Sequence, residues 1–240
     1  MNSCRPLPTE IYDNRASALG QASLNSLYEE ICKLPVAPLQ HPLSDANLMR
    51  YQVCIHVIGS LRAASEISAA VRHSWLSGRF LAASVLIRML IELWGSVAYA
   101  EEKVLRKIER SELQVASDRL RRLLLGSRTG AQFRPGVAAE TSTVNVMEFV
   151  RAANATAAGA IEDYVFLCDA AHPAHVPNTL LLFAGSAHDN WSNETFAANM
   201  HPILDRTLRA AESALGGIEK TGLDICRRCL PPILAETSRW

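Results

Sequence analysis

The sequence lacks an excess of charge of either sign. Its 240 residues include 24 Lys and Arg residues and 24 Asp and Glu residues, so the formal net charge is zero. A dedicated nucleic-acid-binding protein or a polybasic membrane-surface protein carries a basic excess. Nucleic acid therefore has no support from charge as a partner, and we expect no membrane partner.

Cysteine is sparse and dispersed. The chain has six cysteines, and only those in "CRRC" at 226–229 lie close together. Small secreted domains have dense, regular cysteine spacing, so we expect reduced thiols and a cytoplasmic location. The N-terminal stretch also lacks the basic start and apolar core of a signal peptide.

The pair Cys226 and Cys229 has the spacing of two thiols that share a metal ion or form a redox pair. No second CxxC motif accompanies it, and no βαβ pattern surrounds it. We therefore interpret the pair as structural or incidental. Replacing both residues with serine is expected to leave stability within about 1 kcal/mol.

The common chemical motifs are absent as well. The sequence contains no GxxxxGK[ST] or GxGxxG phosphate loop, no GxSxG elbow and no HExxH zinc pair. Several frequent enzyme classes are thereby disfavoured, although an unusual enzyme is not excluded. We expect no metal and no cofactor.

Helical periodicity is what the sequence has in abundance, and no series of alternating strands competes with it. The pattern predicts an all-α protein, a single-domain bundle of five to seven helices. The predicted helices cover about residues 8–34, 44–77, 79–125 in two parts, 143–171, and 192 or 202 to 229, with a mobile loop at 126–141.

Prolines suggest how the chain is divided. The stretch "PVAPLQHP" at 35–42 ends the first predicted helix, and "PP" at 231–232 ends the last. We therefore predict an N-terminal helix and proline-rich linker over 1–43, a helical core domain over 44–230, and a C-terminal tail over 231–240.

The most apolar segment, residues 80–100, is long enough to cross a bilayer. Arg88 and Glu92 would then lie near the bilayer centre, at roughly 2.5–3.5 kcal/mol each. A helix in the centre of a soluble bundle is the expected alternative. Because arginine keeps its charge, a buried Arg88 needs a partner, and Glu92 lies one turn away on the same face.

A second group of polar residues punctuates the apolar end of the predicted helix at 143–171. Together with the pair it defines a candidate polar centre, which consists of Arg88, Glu92, Tyr164, Asp169 and His172. The pair is expected to lie inside the bundle. The last three residues cannot share one helical face, so we expect Asp169 or His172 to reach the pair more readily than Tyr164.

Two stretches carry a family resemblance. "IRMLIELWGSVAYAEE" at 87–102 and "YVFLCDAAHPAH" at 164–175 resemble a bacterial family of all-helical proteins of unknown function. In that family an arginine and a glutamate lie one turn apart, and a later helix ends in Tyr and His-Pro. The resemblance covers roughly residues 45–215 and implies a helical fold loosely like the HEPN superfamily, with no established activity. Cys168 and Asp169 replace a common Leu-Ser pair.

Arg50 and His56 fit the RxxxxxH pattern of HEPN ribonucleases. With this many arginines and histidines, chance supplies about one or two such matches. Tyr51 also replaces the usual small polar residue. We interpret the match as coincidental.

Two functions remain from the sequence. The first is a protein-binding or self-associating module in a bacterial stress or defence system, with a protein partner or a homo-oligomer, which predicts an exposed apolar patch. The alternative is an enzyme, for example a HEPN-like ribonuclease, or a small-ligand binder for a phosphate or nucleotide. It predicts a concave site around Arg88, Glu92, Tyr164 and His172; no catalytic residue is assigned.

Overall fold

Helices account for nearly all of the residues that the computed structural model describes. These residues are 10–19, 29–30, 32–33, 43–125, 143–171 and 194–238. Seven helices and no strand occur among them, so the all-α prediction is confirmed. The helices are α1 (Glu10–Ala18), α2 (Asp45–Leu76), α3 (Phe80–Glu109), α4 (Leu113–Leu125), α5 (Val146–Thr156), α6 (Ala160–Ala171) and α7 (Glu194–Thr237).

Helix α3 is the centre of the bundle, because it packs against α2, α5, α6 and α7. Its inner face is mostly apolar, with Ile87, Leu90 and Ile91 almost completely buried. After Tyr99 the helix widens into a π-helical turn, Ala100–Leu105, and then closes with an α-helical turn, Arg106–Glu109. The apolar composition of α3 is therefore explained in part by the helices around it.

Two glycines allow the neighbours of α3 to approach closely. A Cβ atom at Gly95 would overlap the backbone carbonyl of Phe149 on α5. A Cβ atom at Gly217 on α7 would overlap the indole of Trp94, which is itself buried. Neither glycine has a positive φ angle, so space rather than backbone conformation requires them.

Helix α2 begins and ends where the sequence predicts, between Ser44 and Ser77. Its apolar residues do not all face the core, since Leu48 and Ile55 are exposed. The buried face contains many small residues, which let α2 lie close to α3 and α7. These buried residues are Asn47, Met49, Val53, Cys54, Val57, Ser60, Leu61, Ala64, Ser68, Val71, Ser74 and Trp75.

The predicted continuous helix over 143–171 is wrong, because the chain breaks between α5 and α6. Helix α5 ends at Thr156, Ala157 is extended with φ −152° and ψ 124°, and Gly159 adopts a φ of +103° in the turn before α6. The Asn154 side chain then accepts hydrogen bonds from the backbone N–H groups of Gly159 and Ile161, at 3.0 and 3.3 Å. The break changes the helical phase, so that Val165 is 48% exposed.

The predicted helix end at "PP" is also wrong, since α7 continues through Pro231 and Pro232 to Thr237. The prolines cannot donate to the carbonyls four residues earlier. Tertiary contacts offset this loss: Ile233 is fully buried, and the Pro232 carbonyl accepts a 3.2 Å hydrogen bond from Asn47 of α2. Glu236 accepts hydrogen bonds from both the backbone N–H and the hydroxyl of Ser44.

Helix α1 covers only part of the predicted first helix, and residues 20–28 lie outside the described part of the chain. It is held against α7 by Arg15, which donates to Asp205 and to both carboxylate oxygens of Glu212 at 2.7–2.9 Å. The hydrogen bond with Glu212 is the largest influence on the pKa of Arg15, which is raised. The predicted loop at 126–141 also lies outside the described residues, as do residues 172–193.

Helix α3 is long and apolar enough to cross a membrane by length and composition alone. Half of its most apolar window of 18 residues is buried within the protein, and half is not. The other half comprises partly buried residues that pack against the core, such as Leu86 and Leu93, and exposed ones.

Candidate functional site

The structure brings together three of the predicted polar residues at the contact between α3 and α6. Arg88 Nε lies 3.3 Å from Glu92 Oε1, and the Tyr164 hydroxyl donates a 2.9 Å hydrogen bond to the same oxygen. The guanidinium carbon of Arg88 lies 5.8 Å from the centre of the Tyr164 ring. Arg88 Nη1 also approaches the Cys168 sulfur at 4.0 Å. We call Arg88, Glu92, Tyr164 and Cys168 the polar cluster.

Helical spacing explains the geometry of the polar cluster. Arg88 and Glu92 are four residues apart on α3, and Tyr164 and Cys168 are four residues apart on α6, so each pair lies on one face of its helix. Tyr164 is 7% exposed as a residue and packs into the core. Its hydroxyl is thereby positioned at the edge of the core, where Glu92 reaches it.

The sequence-based expectation for this centre needs two corrections. The pair does not lie deep inside the bundle, because the Arg88 and Glu92 side chains retain 35% and 28% exposure. Tyr164, which was expected to be the less suitable partner, makes the hydrogen bond, whereas Asp169 is exposed. Helix α6 starts anew after Gly159, and its phase turns Tyr164 towards α3. His172 lies outside the described residues.

Burial and neighbouring charge determine the protonation of the polar cluster. Burial, followed by the hydrogen bond to Glu92, raises the pKa of Tyr164 above its ordinary value. Burial is the largest single influence on the pKa of Arg88 and lowers it, but Glu92, Tyr164 and Cys168 together outweigh burial, and the pKa is raised. At neutral pH the phenol is therefore a proton donor to Glu92, and the guanidinium is charged. The cluster therefore orients hydrogen bonds around the Glu92 carboxylate.

The polar cluster adjoins a groove between α2, α3 and α5. The groove has a volume of about 410 Å³, and Glu92 contributes to its wall. The other lining residues are Ala63, Ile67, Met89, Leu93, Ser96, Val144, Val146 and Phe149. Apart from Glu92 and Ser96 the lining is apolar, which is common for sites that bind small molecules or side chains of a partner.

The outer face of α3 carries a second feature that the sequence analysis missed. Leu81, Val85 and Met89 are 37%, 37% and 42% exposed, and they follow one another at intervals of four residues. We call these three residues the α3 stripe. The four-residue spacing can be read from the sequence. It does not identify the exposed face, because the other faces of the helix are apolar too. Only the packing of the other helices shows which face is left uncovered.

Arg50 and His56, which fit the HEPN ribonuclease pattern, are held by contacts within the bundle. Arg50 donates a 2.8 Å hydrogen bond to Asn47. The imidazole Nε2 of His56 is buried and has no hydrogen-bond partner among the described residues, although the residue as a whole is partly exposed. Burial lowers the pKa of His56 to about 4, against the opposing effect of a hydrogen bond to the Ser96 backbone. His56 is therefore neutral at physiological pH.

The "CRRC" motif lies on α7 and faces the core with its two cysteines. Cys226 and Cys229 are almost completely buried as free thiols, next to Cys54 of α2. Hydrogen bonding with these two thiols, followed by burial, raises the pKa of Cys54. Within the described part of the chain, no group of three or more His, Cys, Asp and Glu residues is arranged to hold a metal ion.

Between these cysteines, Arg228 links α7 to the end of α3. Its guanidinium donates to both carboxylate oxygens of Glu109, at 2.6 and 2.8 Å, and to Glu101 of the π-helical turn at 2.8 Å. A two-pronged contact of this kind fixes the relative position of both helices. The motif therefore combines packing on one face with an ion pair on the other.

Comparison with known proteins adds no assignment. The chain matches no protein-family model, and no curated protein or solved structure matched it. The resemblance to the bacterial helical family and the ribonuclease alternative consequently stay predictions.

Proposed function

We propose that this protein is a self-associating helical module and that the α3 stripe is its interface. The observation that carries the proposal is the exposure of Leu81, Val85 and Met89 in one row on the most apolar helix of the bundle. Single exposed apolar side chains are common on protein surfaces. A contiguous row is different, because such patches typically mark sites of association.

The apolar composition of α3 favours burial of the α3 stripe against another apolar surface. Phe80 to Glu109 is the one helix among the described residues with enough apolar length to span a membrane, and only half of its most apolar window is buried. The exposed apolar side chains of this helix are Leu81, Val85 and Met89, and the charged side chains beside them are Arg88 and Glu92. Covering it with another apolar surface would release ordered water and contribute favourable free energy.

Charge favours a second copy of this chain as the cover. The α3 face carries one positive and one negative side chain, Arg88 and Glu92, which already pair with each other. A strongly basic or acidic partner would find no complementary excess there. The chain as a whole has zero formal net charge, so two copies do not repel each other at long range. Symmetric dimers are also the commonest form of self-association.

Sedimentation equilibrium with one charged substitution tests the proposal. Val85→Glu places a carboxylate in the middle of the stripe and should shift the protein from dimer to monomer. Val115→Glu is the matched control, because Val115 is exposed to a similar extent, 41% against 37%, but lies on α4. The control should sediment like the wild-type chain.

Two results would reject self-association. One is a wild-type chain that remains monomeric up to about 0.1 mM. The other is equal behaviour of the two glutamate variants. Flotation with phosphatidylcholine vesicles is a further check, since a wild-type monomer that floats, and loses this property in Val85→Glu, would assign the stripe to a membrane surface instead.

A further inference from the structure

The groove beside the polar cluster is a separate feature from the α3 stripe, although Met89 belongs to both. All of its walls come from one chain, so it does not require a second copy. Its volume of about 410 Å³ lies in the range of roughly 300–1,000 Å³ that small-molecule sites occupy. Side chains such as Ile67, Leu93 and Phe149 line it from three helices, so the body of a ligand must be apolar.

Two polar side chains line the groove, Glu92 and Ser96. Only Glu92 retains a hydrogen-bonding atom for a ligand. Ser96 uses its proton within α3, where it donates a 2.8 Å hydrogen bond to the Leu93 carbonyl. Glu92 receives the Tyr164 hydroxyl and faces Arg88 through the same oxygen, Oε1. Its second oxygen, Oε2, has no hydrogen bond from any described residue. A ligand that enters the groove therefore meets a hydrogen-bond acceptor.

Arg88 decides which kind of donor fits that acceptor. The guanidinium lies 3.3 Å from Glu92 and offsets its charge, so a ligand ammonium group would gain little attraction from Glu92 and would be repelled by Arg88. A ligand carboxylate or phosphate would have to approach Glu92, which has no proton to donate to it. A neutral hydroxyl or amide N–H avoids both penalties and satisfies Oε2.

We propose that the groove binds a neutral, largely apolar small molecule with one hydroxyl or N–H group, which donates a hydrogen bond to Glu92. This differs from the phosphate or nucleotide ligand expected from the sequence. The difference arises because the wall of the groove contains Glu92 and not Arg88. Tyr164 is a positioning residue in this arrangement, since it holds the carboxylate through Oε1 and leaves Oε2 for the ligand.

Isothermal titration calorimetry with three probes of equal chain length tests the proposal: 1-octanol, protonated octylamine and octanoate. The wild-type chain should bind 1-octanol about tenfold more tightly than either charged probe, as one satisfied hydrogen bond allows. Glu92→Leu should lose this preference. Glu92→Gln should shift it towards octanoate, because Tyr164 donates to the one amide oxygen and an NH2 donor takes the place of Oε2. Glu66→Leu is the matched control, because Glu66 is an exposed carboxylate of α2 outside the groove, and it should behave like the wild type.

The same titrations define failure. Equal binding of 1-octanol to the wild type and to a folded Glu92→Leu variant would overturn the proposal, as would tighter binding of octylamine or octanoate. Absence of binding by all three probes to the wild-type chain would overturn it too. If Glu92→Leu does not fold, the comparison of Glu92→Gln with the wild type still decides, since an unchanged preference for 1-octanol there contradicts an acceptor role of Oε2. Repeating the series in Val85→Glu separates the groove from self-association.

Discussion

Tyr164 and Glu92 are joined by a hydrogen bond of 2.9 Å that connects α6 to the central helix α3. The tyrosine ring lies in the core, and the carboxylate lies at the surface of the groove. The bond thus holds the orientation of Glu92 from within the bundle. Arg88 contributes its charge from the solvent side, so the two partners of Glu92 have different roles.

The first prediction concerns how much the Tyr164–Glu92 hydrogen bond and the Arg88–Glu92 ion pair contribute to the free energy of unfolding. Glu92→Leu removes the acceptor of Tyr164 and the counter-charge of Arg88. Full burial of such a pair would make the loss about 3–5 kcal/mol. The pair is about one-third exposed, so water can solvate Arg88 and we expect only about 1–2 kcal/mol.

Denaturant melts of Glu92→Leu, Arg88→Met and the double variant measure this contribution. The double variant should cost less than the sum of the two single variants, because each single change leaves one charge without its partner. Purely additive losses would mean that Arg88 and Glu92 do not interact.

The second prediction uses two adjacent glycines of α7. Gly216→Ala should stabilise the protein by roughly 0.5–1 kcal/mol, because the position is open and alanine is the better helix former. Gly217→Ala should destabilise it, because the new methyl group would overlap the buried indole of Trp94. Thermal melts of the two variants measure opposite shifts. A stabilised Gly217→Ala would show that α7 does not approach α3 closely at this point.

The third prediction concerns acid stability. Because the pKa of His56 is lowered from 6.5 to about 4 in the folded chain, the unfolded chain binds more protons between these values. Stability should therefore fall as the pH falls through that window, by up to about 3 kcal/mol. Above pH 6.5 both states carry a neutral imidazole, and this contribution to the pH dependence vanishes.

His56→Gln tests the assignment, since glutamine keeps a hydrogen-bond donor and does not titrate. Chemical unfolding at several pH values should show a shallower loss of stability in this variant between pH 6.5 and 4. His73→Gln is the control, because His73 is exposed on the same helix. An unchanged slope in His56→Gln would contradict the role of the buried imidazole.

The fourth prediction revises the expectation for Cys226 and Cys229. Both are essentially inaccessible to water, and a serine hydroxyl at a buried apolar position costs about 1–3 kcal/mol unless it finds a partner. The double serine variant should therefore lose more than the 1 kcal/mol inferred from spacing alone. Cys32→Ser, at an exposed position, should melt like the wild type. Equal melting of the two variants would show that the pair tolerates polarity.

Local patterns predicted the helices better than the contacts between them. The predicted span of α2, 44–77, agrees with the observed helix Asp45–Leu76, because an N-cap and a regular apolar period are local signals. The break at Gly159 was missed because glycine is tolerated within helices, and its positive φ depends on the tertiary position of α6. The passage of α7 through Pro231 and Pro232 was missed because its compensation comes from Asn47 and Ser44, nearly two hundred residues away.

The candidate site shows the same division. The pairing of Arg88 with Glu92 followed from their spacing and is present at 3.3 Å. The choice of Tyr164 depended on the phase of α6 after the break, which the sequence pattern did not reveal. The uncovered face of α3 could not be found from α3 alone, because all faces of that helix are apolar and only its neighbours determine which one is left.

The most direct measurement of the central claim is photo-crosslinking from the α3 stripe. A benzophenone amino acid in place of Val85 reports whatever covers the stripe, and the same amino acid in place of Val115 on α4 is the control. Self-association predicts a crosslinked dimer of this chain from position 85, with the attachment mapped by mass spectrometry to α3 of the second copy, and little dimer from position 115. A monomer only, or equal dimer yields from both positions, would contradict the claim that the outer face of α3 is where two copies meet.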